Sequence, residues 1–178
     1  TDGAIREHLE RAFSLANERI VNRRSGDPKL EKMGTTLVVA WVIDDQAHIA
    51  HVGDSRCYSL RSSQAVCLTR DDTVVQNMLE DGSITAADVP NVPFRNVLTR
   101  AVGAVEQADP SYRRETLEEG DVLLLCSDGL TDSVPEYRWL EIQKESDGME
   151  RTVQALIDAG LANEAGDNVS VVLLTLEY

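Results

Sequence analysis

The sequence predicts an α+β fold in which antiparallel sheets are covered by helices on their outer faces. Three observations predict it: a long amphipathic stretch opens the chain, short β-branched runs separated by turn dipeptides follow, and two further helical patterns lead into a last apolar run.

The opening helix rests on Ile5, Leu9, Ala12, Phe13, Ala16 and Ile20, which recur at three-to-four spacing between Asp2 and about Asn22. Thr1 or Asp2 is its candidate N-cap, and Ser25-Gly26-Asp27-Pro28 ends it. Strands are predicted over Thr35 to Ile43, Ala47 to Val52, Arg56 to Leu60 and Ala65 to Leu68, joined by Asp44-Asp45-Gln46 and Gly53-Asp54-Ser55 as in a meander. Asp71 to Pro93 reads as a surface excursion, with a short helix at Thr73 to Glu80 and a helical turn near Thr85 to Asp88. Strand character resumes at Asn96 to Ala101, Ser111 to Thr116 and Val122 to Cys126. Helical periodicity returns in Pro135 to Gln143 and Glu150 to Ala162, and Val169 to Leu176 closes the chain as a strand.

A chain of 178 residues fits one domain spanning 1–178, long enough to bury about two-thirds of its unfolded surface. Its net charge of -14, from 31 acidic against 17 basic side chains, repels a phosphate backbone or an anionic bilayer, so no nucleic acid is expected as a partner. Such a surface serves solubility, and some of its carboxylates could instead crowd a pocket that a divalent cation neutralises. The longest apolar runs, such as Leu37 to Ile43 and Val169 to Leu174, fall well short of the ~18–20 residues of a membrane span. Cys57, Cys67 and Cys126 have no CxxC spacing and read as reduced thiols, which points to the cytoplasm. No signal-peptide pattern is visible at the start, and with Thr rather than Met in first place the chain reads as starting partway into a longer protein.

Chemistry is suggested where an apolar strand meets a glycine-flanked aspartate. This happens at Val52-Gly53-Asp54-Ser55, Cys126-Ser127-Asp128-Gly129 and Gly166-Asp167-Asn168-Val169. Carboxylates at neighbouring strand ends can converge, and their oxygens suit Mg²⁺ or Mn²⁺. Each dipeptide taken alone is an ordinary turn, and spacing does not separate Gly120-Asp121 from Gly166-Asp167 as a ligand. Other chemistries fail on composition. A Cys-x5-Arg phosphate cradle after Cys126 needs arginine where Asp132 stands. Ser55 lacks the second glycine of a nucleophile elbow, and no nucleotide-binding glycine loop is present. His48 and His51 alternate faces of one strand, with only His8 besides, which argues against a histidine-rich zinc site.

Five segments together resemble successive motifs of the protein phosphatase 2C family. They are Met33-Gly34-Thr35-Thr36, His51 to Arg56 (HVGDSR), Asn96 to Gly103 (NVLTRAVG), Gly120 to Asp132 (GDVLLLCSDGLTD) and Gly166 to Ser170 (GDNVS), in the family's order. Leu68 to Asp72 with Leu79 to Thr85 resembles the start of the family's flap, most like bacterial members, which makes positions 69–95 a flap-like excursion. The resemblance implies a two-sheet antiparallel β-sandwich flanked by helices, in α-β-β-α layers. It implies hydrolysis of phosphoserine and phosphothreonine on proteins by water bridging two Mg²⁺ or Mn²⁺ ions, with no covalent intermediate. Asp128 and Asp167 match aspartates that share one ion. Asp54 matches a residue that, with the equivalent of Asp128, holds a third, weaker ion in bacterial members.

The family's opening strands are not matched. They carry the phosphate-gripping arginine and an Asp-Gly-x-x-Gly whose aspartate bridges both metals, and Asp2-Gly3-Ala4-Ile5-Arg6 is no substitute. The expected domain is therefore N-terminally incomplete, and this chain by itself is expected to bind metal weakly and hydrolyse little. Two readings follow: a signalling phosphatase acting on phosphoproteins, among them a Ser/Thr kinase or its targets, as a monomer; or a non-catalytic phosphatase-like regulatory module. Retention of Asp54, Asp128 and Asp167 favours the enzyme.

Overall fold

The computed structural model describes residues 2–61 and 63–176. Thr1, one of the two N-cap candidates, and the last two residues of the chain lie outside the described residues. Among the described residues, seven strands form a three-stranded sheet of order β1-β2-β5 and a four-stranded sheet of order β4-β3-β6-β7. The strands are β1 (Leu37–Ile43), β2 (Gln46–Val52), β3 (Arg56–Arg61), β4 (Gln64–Cys67), β5 (Ser111–Thr116), β6 (Val122–Cys126) and β7 (Val171–Thr175). With the five helices below, this is the two-sheet antiparallel α+β class that the sequence predicts.

The chain condenses into two compact units. One holds Ala50–Asp54 and Arg70–Tyr112 together with the chain up to Val39; the other holds Ala40–Ile49, Ser55–Thr69 and the chain from Arg113 onward. In the first, helix α1 (Asp2–Ser25) turns Leu9 and Phe13 into a core completed by Ala50, Val52 and Val102. Burying each large side chain there contributes about 1.5–3 kcal/mol. The α1 face also carries one buried polar residue, Asn17, whose amide nitrogen donates to the Val105 carbonyl at 3.1 Å and whose oxygen accepts from Gly103 N–H at 2.6 Å. Helix α2 (Val74–Glu80) is capped by the Thr73 hydroxyl, which accepts from Gln76 N–H.

One expectation in this unit is corrected. Asn96 to Ala101 does not form a strand, because its backbone bonds go to scattered partners. Val97 carbonyl accepts from Val74, Thr99 N–H donates to Asp72, and only isolated bridges occur at Leu98 and Val102. The helical turn expected near Thr85 to Asp88 is present: Asp88 N–H donates to the Thr85 carbonyl at 3.0 Å, the Asp88 carboxylate accepts from Thr85 N–H and Oγ1, and a 3₁₀ turn follows at Val89–Asn91.

The second unit is built on β6. Antiparallel register pairs Tyr58 with Leu124 and Leu60 with Val122, and on the other side Leu124 with Leu173 and Cys126 with Val171. Period-two alternation puts these on one face. That face is covered by α3 (Asp128–Ser133), α4 (Glu136–Glu145) and α5 (Met149–Ala162), which bring in Leu130, Val134, Trp139, Ile142 and Leu156. The Trp139 ring meets Tyr58 edge-on, with centroids 5.0 Å apart. The short helix α3 is not among the elements read from the sequence.

Candidate metal centre

The register of β6 and β7 brings two strand ends together. Cys126 pairs with Val171, so the residues after Cys126 run beside those before Val171. The pairing continues past the strands: Ser127 N–H donates to the Ser170 carbonyl at 3.1 Å. The Ser127 hydroxyl then donates to the Asn168 carbonyl at 3.1 Å and accepts from Ser170 N–H at 3.0 Å. Gly129 closes the contact. A Cβ there would lie 2.3 Å from the Asn168 carbonyl oxygen and 3.3 Å from that of Asp167, so only glycine lets α3 start this close to the neighbouring chain.

The result is electrostatic crowding. Asp128 opens α3 and is half-buried; Asp167 is exposed, its carboxylate accepting from the following Asn168 N–H at 2.7 Å. The Asp128 carboxyl is pushed above the usual carboxylate range, first by burial, then by the charges of Asp132 and Asp167. Asp132, one helical turn after Asp128 in the same Asp-Gly-Leu-Thr-Asp run, has no role in the sequence reading beyond excluding an arginine. Its four-residue spacing from Asp128 was the available signal, hidden because no helix was read there.

Asp121 stands differently. It is buried, burial works against its charge, and yet its carboxyl is held below the usual range by Arg61 and by the Glu118 N–H. Arg61 Nε reaches Asp121 Oδ1 at 2.8 Å, and Glu118 N–H donates to Oδ2 at 2.7 Å. That carboxylate already has its cation.

Asp54 lies in the other unit, half-buried after a tight turn. Gly53 has φ +106°, and a Cβ on it would sit 2.4 Å from Thr36 Cγ2. His48 and His51 are both buried in β2, and His51 Nε2 donates to the Arg70 carbonyl at 2.7 Å. Cys57 is buried within the sheet, which pushes its thiol up to about 12; a thiolate nucleophile is not at hand there.

Oxygen donors carrying like charge suit a hard divalent cation, and crowding around Asp128 is relieved by one. Among the described residues, no group of three or more His, Cys, Asp or Glu is gathered so as to hold a metal ion.

Residues 2–169 match the protein phosphatase 2C family model, and the chain belongs to that family. It is 35% identical over 170 residues to the serine/threonine phosphatase stp of Listeria innocua, covering 96% of this chain and 68% of that protein. The structure of the Streptococcus agalactiae serine/threonine phosphatase superposes with a TM-score of 0.93 at 27% identity, covering 98% of this chain and 72% of that one. The catalytic domain of serine threonine protein phosphatase PstP in complex with two manganese ions superposes with a TM-score of 0.82 at 32% identity, covering 93% of this chain and 68% of that one. The family is one of metal-dependent protein serine/threonine phosphatases, and this chain is of that hydrolase kind. Among the described residues, no helix is long and apolar enough to cross a membrane.

Proposed function

We propose that Asp128 and Asp167 are ligands of one catalytic divalent ion, Mg²⁺ or Mn²⁺, and that Asp54 is a ligand of a third, weaker ion. The observation that carries the first part is the Ser127–Ser170 pairing with Gly129 against the Asn168 carbonyl, which fixes Asp128 and Asp167 in one charged neighbourhood. A pair of such ions supplies Lewis-acid activation of water and neutralisation of charge on a phosphoryl group. The chain's own part is to hold carboxylates rigidly. Asp128 sits on a helix whose start is locked to the facing segment, and Asp121 stays out of the chemistry because Arg61 occupies it.

The substrates in this reading are phosphoserine and phosphothreonine proteins, among them a Ser/Thr kinase or its targets, met by a monomeric enzyme in the cytoplasm. Segment 69–95 acts as a flap of the single catalytic domain. It is braced internally by Arg70, whose Nε and one terminal nitrogen both reach the Glu80 carboxylate at 2.6 Å. The family's phosphate-gripping arginine and its Asp-Gly-x-x-Gly are not matched within this sequence.

The test is Mn²⁺-dependent phosphate release from a phosphothreonine peptide by the intact protein. Asp128→Ala and Asp167→Ala should each abolish it; full activity in either removes that residue from the metal site. Asp54→Ala should lose activity only when metal is limiting.

A further inference from the structure

Asp72 is a buried carboxylate outside the acidic strand ends, and the reaction as described gives it no task. Its residue is 3% exposed. Its Oδ2 accepts from Gly53 N–H at 2.9 Å, its own N–H donates to the Gly53 carbonyl at 3.0 Å, and its Oδ1 takes Arg100 Nη1 at 3.3 Å. The backbone around Asp72 is fixed in turn, since Thr99 N–H donates to its carbonyl at 2.8 Å.

These bonds have one geometric consequence. The Gly53 N–H belongs to the peptide unit before the Gly53 Cα, and the Gly53 carbonyl to the unit after it, which also carries the nitrogen of Asp54. Asp72 therefore clamps both peptide units about the one residue whose φ of +106° aims the chain into Asp54. A turn that supports a carboxylate on glycine alone is free to rotate; a turn gripped on both sides is not.

We propose that Asp72, held by Arg100, is a positioning residue that fixes the Gly53–Asp54 turn, so that Asp54 is preset for its metal ion. The inference rests on the reading of Asp54 as an accessory ligand. Its chemistry is that of groups behind a metal's ligands, whose replacement typically costs about 10–100-fold in metal affinity. Asparagine at position 72 is nearly isosteric but offers one acceptor and one NH₂ group. Whichever way it turns, a donor faces either Gly53 N–H or Arg100.

The experiment is a Mn²⁺ titration of the intact protein, followed by electron paramagnetic resonance, with circular dichroism as a check of folding. Asp54→Asn should remove or weaken the weakest class of bound Mn²⁺ and leave the tighter ions in place. Asp72→Asn should weaken that same class about tenfold, and should add nothing further in the Asp54→Asn background. Arg100→Gln, at a half-exposed position, should shift it in the same direction by less, and it decides the matter if Asp72→Asn does not fold. Three results overturn the proposal. If Asp54→Asn weakens the site but folded Asp72→Asn or Arg100→Gln binds like wild type, Asp72 does not position Asp54, whose own role stands. If the two substitutions add, Asp72 acts elsewhere. If Asp54→Asn binds every Mn²⁺ normally, the reading of Asp54 itself falls and takes this one with it.

Discussion

Asp128 and Asp54 are both strand-end aspartates beside a glycine, yet the chain holds them by different physics. At Asp128 the hold is steric and mostly uncharged. Backbone pairing runs past the ends of β6 and β7, a serine hydroxyl bridges the two segments, and a glycine admits a carbonyl at 2.3 Å from where a Cβ would be. At Asp54 the hold is ionic, through the buried Asp72 with Arg100 behind it. A steric lock tolerates changes of charge and fails on added volume. An ionic clamp tolerates small changes of volume and fails when its acceptor is lost.

The largest expected effect tests the steric side. Gly129→Ala drives a methyl into a backbone carbonyl that cannot step aside without parting α3 from Asp167–Asn168. Overpacking of this kind costs about 1–3 kcal/mol, and a misplacement of an ångström costs on the order of 10²-fold in rate. Gly53→Ala meets mainly the Thr36 side chain and a positive φ, whose cost is about 1–2 kcal/mol. Thermal melting and phosphatase assays of both variants should rank Gly129→Ala as the worse for activity. The reverse order would mean that the Asp128 neighbourhood is the looser of the two.

Ser127→Ala is the milder cut on the same side. It removes two hydrogen bonds, to the Asn168 carbonyl and from Ser170 N–H, but leaves the Ser127 N–H bond to Ser170 in place. The exposed partners regain water, so the loss is about 0.5–1.5 kcal/mol. Activity should fall less than in Gly129→Ala. A Ser127→Ala protein with wild-type melting and rate would assign the whole lock to backbone and glycine.

Most of the fold was legible because period-two and period-3.6 patterns are local. β6 reads from Val122 to Cys126 and is observed there; the Pro135 and Met149 helices begin within a residue of expectation. The failures lie where bonds are non-local or made by side chains. Asn96 to Ala101 has strand composition but meets the Asp72–Val74 backbone only at single points, and Thr35 pairs with Val102 just beyond it. The helix α3 is six residues long and starts at the candidate ligand itself, so its glycine and aspartates read as a turn. Asp54, Asp128 and Asp167 were all visible as residues. What fixes them was not: Ser127, Gly129 and Asp72 act on partners 19 or more residues away, and no local window contains both ends of such a bond.

The smallest expected effect concerns pH, and it tests the Asp128 side. Burial first, then the Asp132 and Asp167 charges, raise the Asp128 carboxyl above its usual range. A carboxyl raised in the folded state binds its proton more tightly there than in the unfolded chain. Without metal, its contribution to stability is therefore fully present below the ordinary carboxylate range and is lost as pH rises through the raised value. A bound divalent cation favours the ionised form and reverses that dependence. The rise in melting temperature on adding Mn²⁺ should therefore grow between pH 5 and pH 7.5. Solvent around the half-exposed group keeps the change small. Asp128→Asn should flatten the growth, since asparagine has no proton to displace. Asp54→Asn should leave most of it, because the groups that raise Asp128 are Asp132 and Asp167. If the Mn²⁺ shift is the same at both pH values, or if Asp128→Asn retains its growth, then charge crowding does not govern the Asp128 neighbourhood.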